Sequence, residues 1–292
     1  MVDIVEEAEK FFSQLTEEQK LLVINRAKKP SVNFSSATLA DCLRKDGLAL
    51  DLKYILARPF RTSLNIPEYI QRPTLSDFLC QHLDKVQKCF AMDNEAECRM
   101  LIDAILLEVL ERERESEANL TGFCEVKNDW EGPGLKYTGT VDYMIGSAAD
   151  RSVLSMDSFF LVMEAKKEWP DSAVAQVLAE AGCLLKRRLN SGKKTPVFAV
   201  LTNGRLFRFF VIDADGVVYS SEEMLGLSQG YASLAEILRW FSWFLGAMKA
   251  VSPRASQTDV TDDDIEDSLA QLRCCFGPRQ PHEAIGPKRI KT

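Results

Sequence analysis

Apolar residues in the first third of the chain recur three and four positions apart, which is the spacing of one face of an amphipathic helix. The pattern holds in four segments, at residues 2–15, 17–29, 37–48 and 74–90. The sequence therefore predicts a helical N-terminal region over residues 1–92. This region shows no catalytic motif, so three roles are open: a cap over the rest of the chain, a surface for a protein partner, and an element for self-association.

The hydrophobic pattern changes at residue 93, where a long helix is followed by short strand-like segments. The predicted elements are one helix, three strands, one helix, two strands and a closing helix, at 94–117, 122–130, 135–146, 157–169, 172–189, 196–203, 205–213 and 234–250. This order predicts an α/β domain over 93–250, with a central mixed sheet flanked by helices.

Two glycine turns support these strands. Asn203–Gly204 separates two of them and suits the positive φ angles of a tight hairpin, and Asp215–Gly216 precedes a further short strand. Over 251–292 the composition predicts an acidic linker, a short helix and a flexible tail. The acids at 262–264 fit the N-terminus of that helix better than a metal site, because negative charge is stabilised there by the helix dipole.

The composition disfavours several classes of protein. Eight cysteines without a CxxC pair, and only two histidines, disfavour zinc sites. The start of the chain lacks the features of a secretory signal, so we expect reduced cysteines and an intracellular location, cytoplasmic or nuclear. The most apolar helical segment, 233–251, is too interrupted to span a membrane. A net charge of −7 argues against a surface that coats nucleic acid, but it does not exclude a nucleic-acid enzyme with a local basic groove.

Two carboxylates interrupt apolar strands. Asp142 lies in the middle of the second predicted strand, where aspartate is disfavoured, and Glu164 and Lys166 share one face at the end of the third. Burying such a pair is costly unless it has a partner or a task. If the strands are antiparallel neighbours, the two carboxylates, a backbone carbonyl and waters form a suitable shell for Mg²⁺. A lysine beside that shell can orient or deprotonate a water, or stabilise charge on a phosphate.

Side chains alternate between the two faces of a strand. Strict alternation therefore places Phe160 with Val162 on one face, and it places Val141 with Tyr143 on the face opposite to Asp142. Both faces of the third strand begin with apolar residues, as in a central strand that is covered on two sides.

The segment Gly139-Thr140-Val141-Asp142, followed by an apolar strand that ends Glu164-Ala165-Lys166, resembles the PD-(D/E)XK (restriction-endonuclease-like) nuclease superfamily. The resemblance covers roughly residues 93–212 and implies a core of helix, three strands, helix and strand. It implies a nuclease that depends on Mg²⁺ or Mn²⁺ and acts on nucleic acid, with DNA favoured over RNA as the substrate. Asp142, Glu164 and the backbone carbonyl of Ala165 would hold the metal, and Asp142, Glu164 and Lys166 would form the catalytic centre. The alternatives are a structural ion-pair cluster and a catalytically degenerate nuclease fold that binds nucleic acid or protein.

The resemblance suggests further site residues on two helices. Members of the superfamily often add a glutamate from the helix before the first strand; Glu108 is the candidate, and the alternative is a solvated acid. Some members with exonuclease activity carry a glutamine and, four residues later, a tyrosine on the helix after the Glu-x-Lys motif. Gln176 is present and is expected to line the substrate groove, but Glu180 stands in place of the tyrosine, which argues against that subgroup. The alternative for this pair is a solvated helix face.

The densest basic cluster consists of Lys186, Arg187, Arg188, Lys193 and Lys194. One interpretation is contact with the phosphate backbone of a substrate beside the active site. The alternative is a set of cations placed favourably at a helix C-terminus and in a solvated loop. A second basic run, at 287–291, is too short to be good evidence of a nuclear-localisation signal.

Overall fold

The computed structural model describes residues 10–20, 29–91, 93–115, 120–147, 158–227, 231–251 and 262–278. Its strands in these ranges are β1 (Ser31–Asn33), β2 (Leu120–Glu131), β3 (Lys136–Ser147), β4 (Phe159–Ala165), β5 (Val197–Thr202), β6 (Leu206–Ile212), β7 (Val218–Ser220) and β8 (Met224–Leu225). Its helices are α1 (Leu39–Leu43), α2 (Asp77–Cys89), α3 (Glu95–Glu115), α4 (Asp171–Asn190), α5 (Leu234–Val251) and α6 (Asp262–Arg273). The first two predicted helices lie mostly outside the described residues, although 10–13 and 17–20 are helical.

The strands form one mixed sheet with the order β1-β3-β4-β5-β6-β7. β2 pairs along the whole of β3, so β1 and β4 share the other edge of β3, β1 at its beginning and β4 near its end. β4 and β5 are parallel, whereas β5 and β6 are antiparallel. β7 and β8 share the outer edge of β6. The prediction of a mixed α/β fold with one central sheet flanked by helices is confirmed.

The described part of the N-terminal region differs from the predicted run of helices. β1 belongs to the central sheet and runs parallel to the start of β3. α1 spans five residues and ends at Leu43, whereas the predicted helix continued to residue 48. The long segment between α1 and α2 has little helix, and its Ser63 and Leu64 donate backbone hydrogen bonds to Ser220 of β7.

Three leucines explain why this segment folds onto the core. Leu48, Leu50 and Leu52 are buried and alternate with more exposed residues, which is the spacing of an extended chain and not of a helix. They pack in the core beneath α4. A side chain at Gly182 of α4 would come within 3.1 Å of Leu48, so the glycine allows this close approach. This part of the N-terminal region therefore belongs to the same core as the sheet.

Helices cover both faces of the sheet. On one face α4 packs against residues such as Met144, Val162 and Leu201. On the other face α3 and α5 share a core with residues such as Tyr143 and Met163. All seven residues of β4 are buried, as expected of a central strand that is covered on two sides.

Strict alternation fails in β3 at Asp142. Val141 and Met144 both lie in the core on the α4 side, whereas Tyr143 lies in the opposite core. Across from this point, Glu125 of β2 has a φ of 52°, so the backbone of the β2–β3 pair is irregular here. The prediction that Val141 and Tyr143 share a face is wrong for this reason.

β4 also begins with an irregularity. Its register with β3 shifts between Ile145 and Gly146. Phe159 therefore packs with Val162 on the α4 side, and Phe160 packs in the opposite core. The predicted pairing of Phe160 with Val162 on one face is wrong, and regular alternation holds from the middle of the strand onward.

The predicted turn and tail helix are present. β5 and β6 are joined through Gly204, whose φ is 79°, while the side chain of Asn203 accepts hydrogen bonds from the two backbone N–H groups that follow Gly204. α6 begins at Asp262, in the acidic run. The basic run at 287–291 lies outside the described residues. Among the helices of the described ranges, none has the length and apolarity to cross a bilayer.

Candidate active site

Asp142 and Glu164 lie opposite each other on β3 and β4. The pairing of the two strands ends at Tyr143 and Met163, and Asp142 and Glu164 are the next residues beyond that pair. The backbone N–H of Ala165 donates a hydrogen bond of 2.8 Å to Asp142 Oδ2. Asp142 is 7% exposed and Glu164 is 1% exposed. The structure therefore brings together the two carboxylates that interrupt the apolar strands.

Lys166 extends from the end of β4 over the same site. Its Nζ lies 2.6 Å from Glu164 Oε1 and 3.5 Å from Glu95 Oε2. Burial opposes the charge of Lys166, but the carboxylates of Glu164, Glu95 and Asp142 outweigh that effect and raise its pKa. Lys166 is therefore an ammonium at neutral pH.

Gln176 and Glu180 of α4 complete the surroundings of Glu164. Gln176 Nε2 donates hydrogen bonds of 2.6 Å to Glu164 Oε1 and 3.0 Å to Glu180 Oε1. All three side chains are buried. The solvated-pair alternative is therefore wrong, and Gln176 contacts the acid site itself.

The two glutamates share a strongly perturbed environment. Burial, followed by the charge of Asp142, raises the pKa of Glu164 to about 7. Burial, followed by the charge of Glu164, raises the pKa of Glu180 well above its ordinary range. Burial therefore favours the protonated form of Glu180, which can share its proton with Glu164, as expected when two buried carboxyl groups meet.

The first turns of α3 add two residues that the sequence argument missed. Arg99 donates to Asp142 Oδ1 and to Glu125 of β2, and its Nη2 lies 3.5 Å from Glu95 Oε1. Burial raises the pKa of Asp142, and the N–H of Ala165 and the charge of Arg99 oppose that rise. The four-residue spacing of Glu95 and Arg99, which places both on one helix face, was the available signal.

Glu108 does not reach the acid pair. Its carboxylate accepts hydrogen bonds of 2.6 Å from Ser76 Oγ and 2.8 Å from Arg112 Nε. It lies thirteen residues beyond Glu95 on α3, which is about 20 Å along the helix axis. The sequence prediction for Glu108 is corrected accordingly: the carboxylate that α3 brings to the site is Glu95, because the helix crosses the sheet end with its first turns.

Arg188 is a structural residue and not a phosphate contact. Its side chain is fully buried, with hydrogen bonds of 2.8 Å to Phe159 O and 2.6 Å to Thr195 Oγ1. The guanidinium also lies 4.5 Å from the ring centroid of Phe160. The predicted substrate contact by Arg188 is wrong, because a substrate cannot reach this group.

The rest of the basic cluster lies at the C-terminal end of α4. Phe159, which Arg188 contacts, begins β4, so this end of α4 is about 17 Å from Glu164 by strand geometry. Arg187 is paired with Asp129 of β2, and burial lowers the pKa of the half-buried Lys186. Lys193 and Lys194 belong to the loop before β5. The structure therefore does not bring Lys186, Arg187, Lys193 and Lys194 to the acid pair.

The acid site offers two carboxylates for a cation. Within the described residues, no three His, Cys, Asp or Glu side chains converge closely enough to hold a metal ion by themselves. Apart from the proton that Glu180 can share, Glu164 Oε2 is buried without a hydrogen-bond donor in the described part of the chain, and burial raises the pKa of both Asp142 and Glu164. A divalent cation would compensate both charges, and carboxylate oxygens are the ligands that Mg²⁺ prefers. Asp142 and Glu164 therefore fit such a cation. Metal binding by the backbone carbonyl of Ala165 stays a prediction.

Comparisons with known proteins do not name this site. No family model matches the chain, and no curated protein gives a significant match.

Proposed function

We propose that this chain is a divalent-metal-dependent nuclease with a restriction-endonuclease-like core, centred on Asp142, Glu164 and Lys166. The observation that carries the proposal is the buried acid pair with the Lys166 ammonium 2.6 Å from Glu164 Oε1. Buried charges of this kind cost stability unless they are compensated, so a catalytic task explains their presence. The element order α3, β2, β3, β4, α4, β5 supports the proposal, since it agrees with the core that the resemblance implies.

Each residue of the site has a role in the proposed reaction. Asp142 and Glu164 would hold Mg²⁺ or Mn²⁺, which when bound acts as a Lewis acid toward a phosphodiester and activates water. Because Lys166 is an ammonium, it stabilises negative charge developing on the phosphate, or orients the water, and does not remove a proton. Gln176 positions Glu164 through its amide hydrogen bond. The choice of DNA over RNA as substrate rests on the resemblance alone.

A second candidate is a catalytically degenerate nuclease fold that binds nucleic acid or protein. Arg99 favours it, because the guanidinium already neutralises Asp142. Together with the N–H of Ala165, Arg99 engages both oxygens of that carboxylate. A site that is closed in this way by protein groups is stable without a cation.

Cleavage assays separate the two candidates. The purified full chain is incubated with single- and double-stranded DNA and RNA in Mg²⁺, in Mn²⁺ and in EDTA. We expect cleavage of DNA with divalent metal only, and its loss in Asp142→Asn. Asp103→Asn is the matched control, because Asp103 is an exposed acid of α3 that binds Tyr143 outside the site; it should retain activity. Cleavage by Asp142→Asn contradicts the mechanism, and absence of cleavage with any polymer supports the degenerate fold.

A further inference from the structure

A cavity of about 450 Å³ lies beside the first turn of α4. Its walls include Arg208 of β6, Phe60 and Arg58 from the segment between α1 and α2, and Glu223 from the loop between β7 and β8. The residues of the acid pair are not part of this wall. Apolar side chains, Val174 of α4 among them, complete the lining.

The cavity lies in the same row of the sheet as the acid site. Glu164 is paired with Leu201 of β5, and Leu201 is paired with Arg208. Neighbouring strands are about 4.8 Å apart, so the backbones of Arg208 and Glu164 are about 10 Å apart. One strand of a duplex advances about 3.4 Å per nucleotide. A nucleic acid that runs from the acid site along this row of the sheet would place a nucleotide about three steps away at the cavity.

Arg208 is held in place, and the residues that the structure describes leave part of its hydrogen-bonding capacity unused. Its guanidinium lies between the rings of Phe60 and Phe210, 4.8 and 5.1 Å from their centroids, and its Nε donates a hydrogen bond of 2.8 Å to Ser220 Oγ. Glu223 Oε1 is 3.9 Å from Nη1 of Arg208, which is beyond hydrogen-bond distance. A ligand that accepts from the outer N–H groups would therefore complete the hydrogen bonding of this partly buried cation.

The mixture of charges favours a nucleobase over a bare phosphate. The exposed acids Asp171, Glu222 and Glu223 repel phosphate oxygens, but a carboxylate beside a guanidinium matches a base edge that carries an acceptor beside a donor. Guanine offers two acceptors, O6 and N7, to the guanidinium and two donors, N1–H and N2–H, to the carboxylate, whereas each edge of adenine offers one ring acceptor beside the single N6 amino group. Phe60, which is 39% exposed, provides an apolar wall against which a flat base can pack.

We propose that this cavity is a subsite for an unpaired guanine. Arg208 donates to O6 or N7, Glu223 accepts from N1–H or N2–H, and Phe60 packs against the ring. The base must be unpaired, because Watson–Crick pairing already engages O6 and N1–H. The assignment rests on the proposed function, since the guanine belongs to a nucleotide near the bond that the acid site would cleave.

Binding without metal tests the subsite independently of catalysis. Fluorescence anisotropy in EDTA compares the affinity of the full chain for labelled oligodeoxyadenylate with and without interspersed guanosines. We expect the oligonucleotide with guanosines to bind at least about 10-fold more tightly. Phe60→Ala and Glu223→Gln, both at exposed positions, should abolish the preference. Phe78→Ala is the matched control, because Phe78 is 68% exposed on α2 outside the cavity; it should keep the preference.

The outcomes are distinct. Equal affinity for the two oligonucleotides, absence of binding to both, or a preference that survives both Phe60→Ala and Glu223→Gln overturns the guanine subsite. A guanine preference in a protein that cleaves no nucleic acid with Mn²⁺ supports the subsite and overturns the proposed nuclease.

Discussion

Replacing Glu164 by glutamine should stabilise the folded chain, because it removes a carboxylate whose ionisation opposes folding. Burial raises the pKa of Glu164 from 4.5 to about 7. The side chain is 1% exposed, so solvent screening gives no reason to discount the shift. At about 1.4 kcal/mol per pKa unit, ionised Glu164 lowers the free energy of unfolding by about 3 kcal/mol.

The pH dependence has a definite sign. Between the unfolded pKa of 4.5 and the folded pKa of about 7, the folded chain retains the proton of Glu164 and the unfolded chain releases it. The free energy of unfolding contributed by this group therefore falls as pH rises through that window. Glu164→Gln should match the wild type near pH 4 and exceed it by about 3 kcal/mol at pH 8.

Urea unfolding followed by tryptophan fluorescence measures this difference. Glu108→Gln is the matched control: Glu108 is also buried, but Ser76 and Arg112 bond its carboxylate, so its neutralisation should lower the free energy of unfolding by about 1–3 kcal/mol. Mn²⁺ at about 100 times its Kd should stabilise the wild type at pH 8 by about 3 kcal/mol and leave Glu164→Gln unchanged. A variant less stable than the wild type at pH 8, or a difference independent of pH, would refute the reasoning.

Two further predictions concern metal affinity, measured by calorimetric titration with Mn²⁺. Arg99→Met removes the cation that neutralises Asp142, so the Kd for Mn²⁺ should fall by about 10-fold, a change of about 1.4 kcal/mol. The control Arg112→Met, at an ion pair outside the site on the same helix, should leave the Kd unchanged. Equal effects of the two variants would exclude competition between Arg99 and Mn²⁺ for Asp142. Glu95→Gln removes a carboxylate next to Lys166 and should weaken Mn²⁺ binding, while Glu108→Gln should not; the reverse result would restore Glu108 as the metal ligand.

The acid pair can be predicted from the sequence because the signal for each of its two residues is local. Asp142 and Glu164 each interrupt a short apolar strand, and two such strands joined in sequence pair readily, so convergence follows from topology alone. Gly204 similarly specifies a hairpin through its own backbone conformation. The face of the sheet on which each side chain lies is harder to predict. The irregularities at Asp142 and at the start of β4 arise from pairing with neighbouring strands, and each of them shifts the alternation of side chains between the two faces by one residue.

The missed residues depend on contacts between distant segments. Arg99 lies 43 residues before Asp142, and their contact exists because α3 crosses the end of the sheet. Arg188 looked like a surface cation, although it follows Leu184 and Leu185 at helical spacing and so belongs to their buried stripe. Leu48 falls at the end of a predicted helix because a few apolar residues satisfy both periodicities over a short window.

The most direct test of the proposed centre is the rate of DNA cleavage by Lys166→Met at saturating Mn²⁺. Lys166 contacts Glu164 through its ammonium and is not a metal ligand, so the variant should still bind Mn²⁺. We expect its cleavage rate to fall by about 100-fold or more, because charge on the phosphate is no longer stabilised, whereas Lys167→Met, at the exposed neighbouring position, should cleave at the wild-type rate. Cleavage by Lys166→Met at the wild-type rate would contradict a catalytic centre built on Asp142, Glu164 and Lys166.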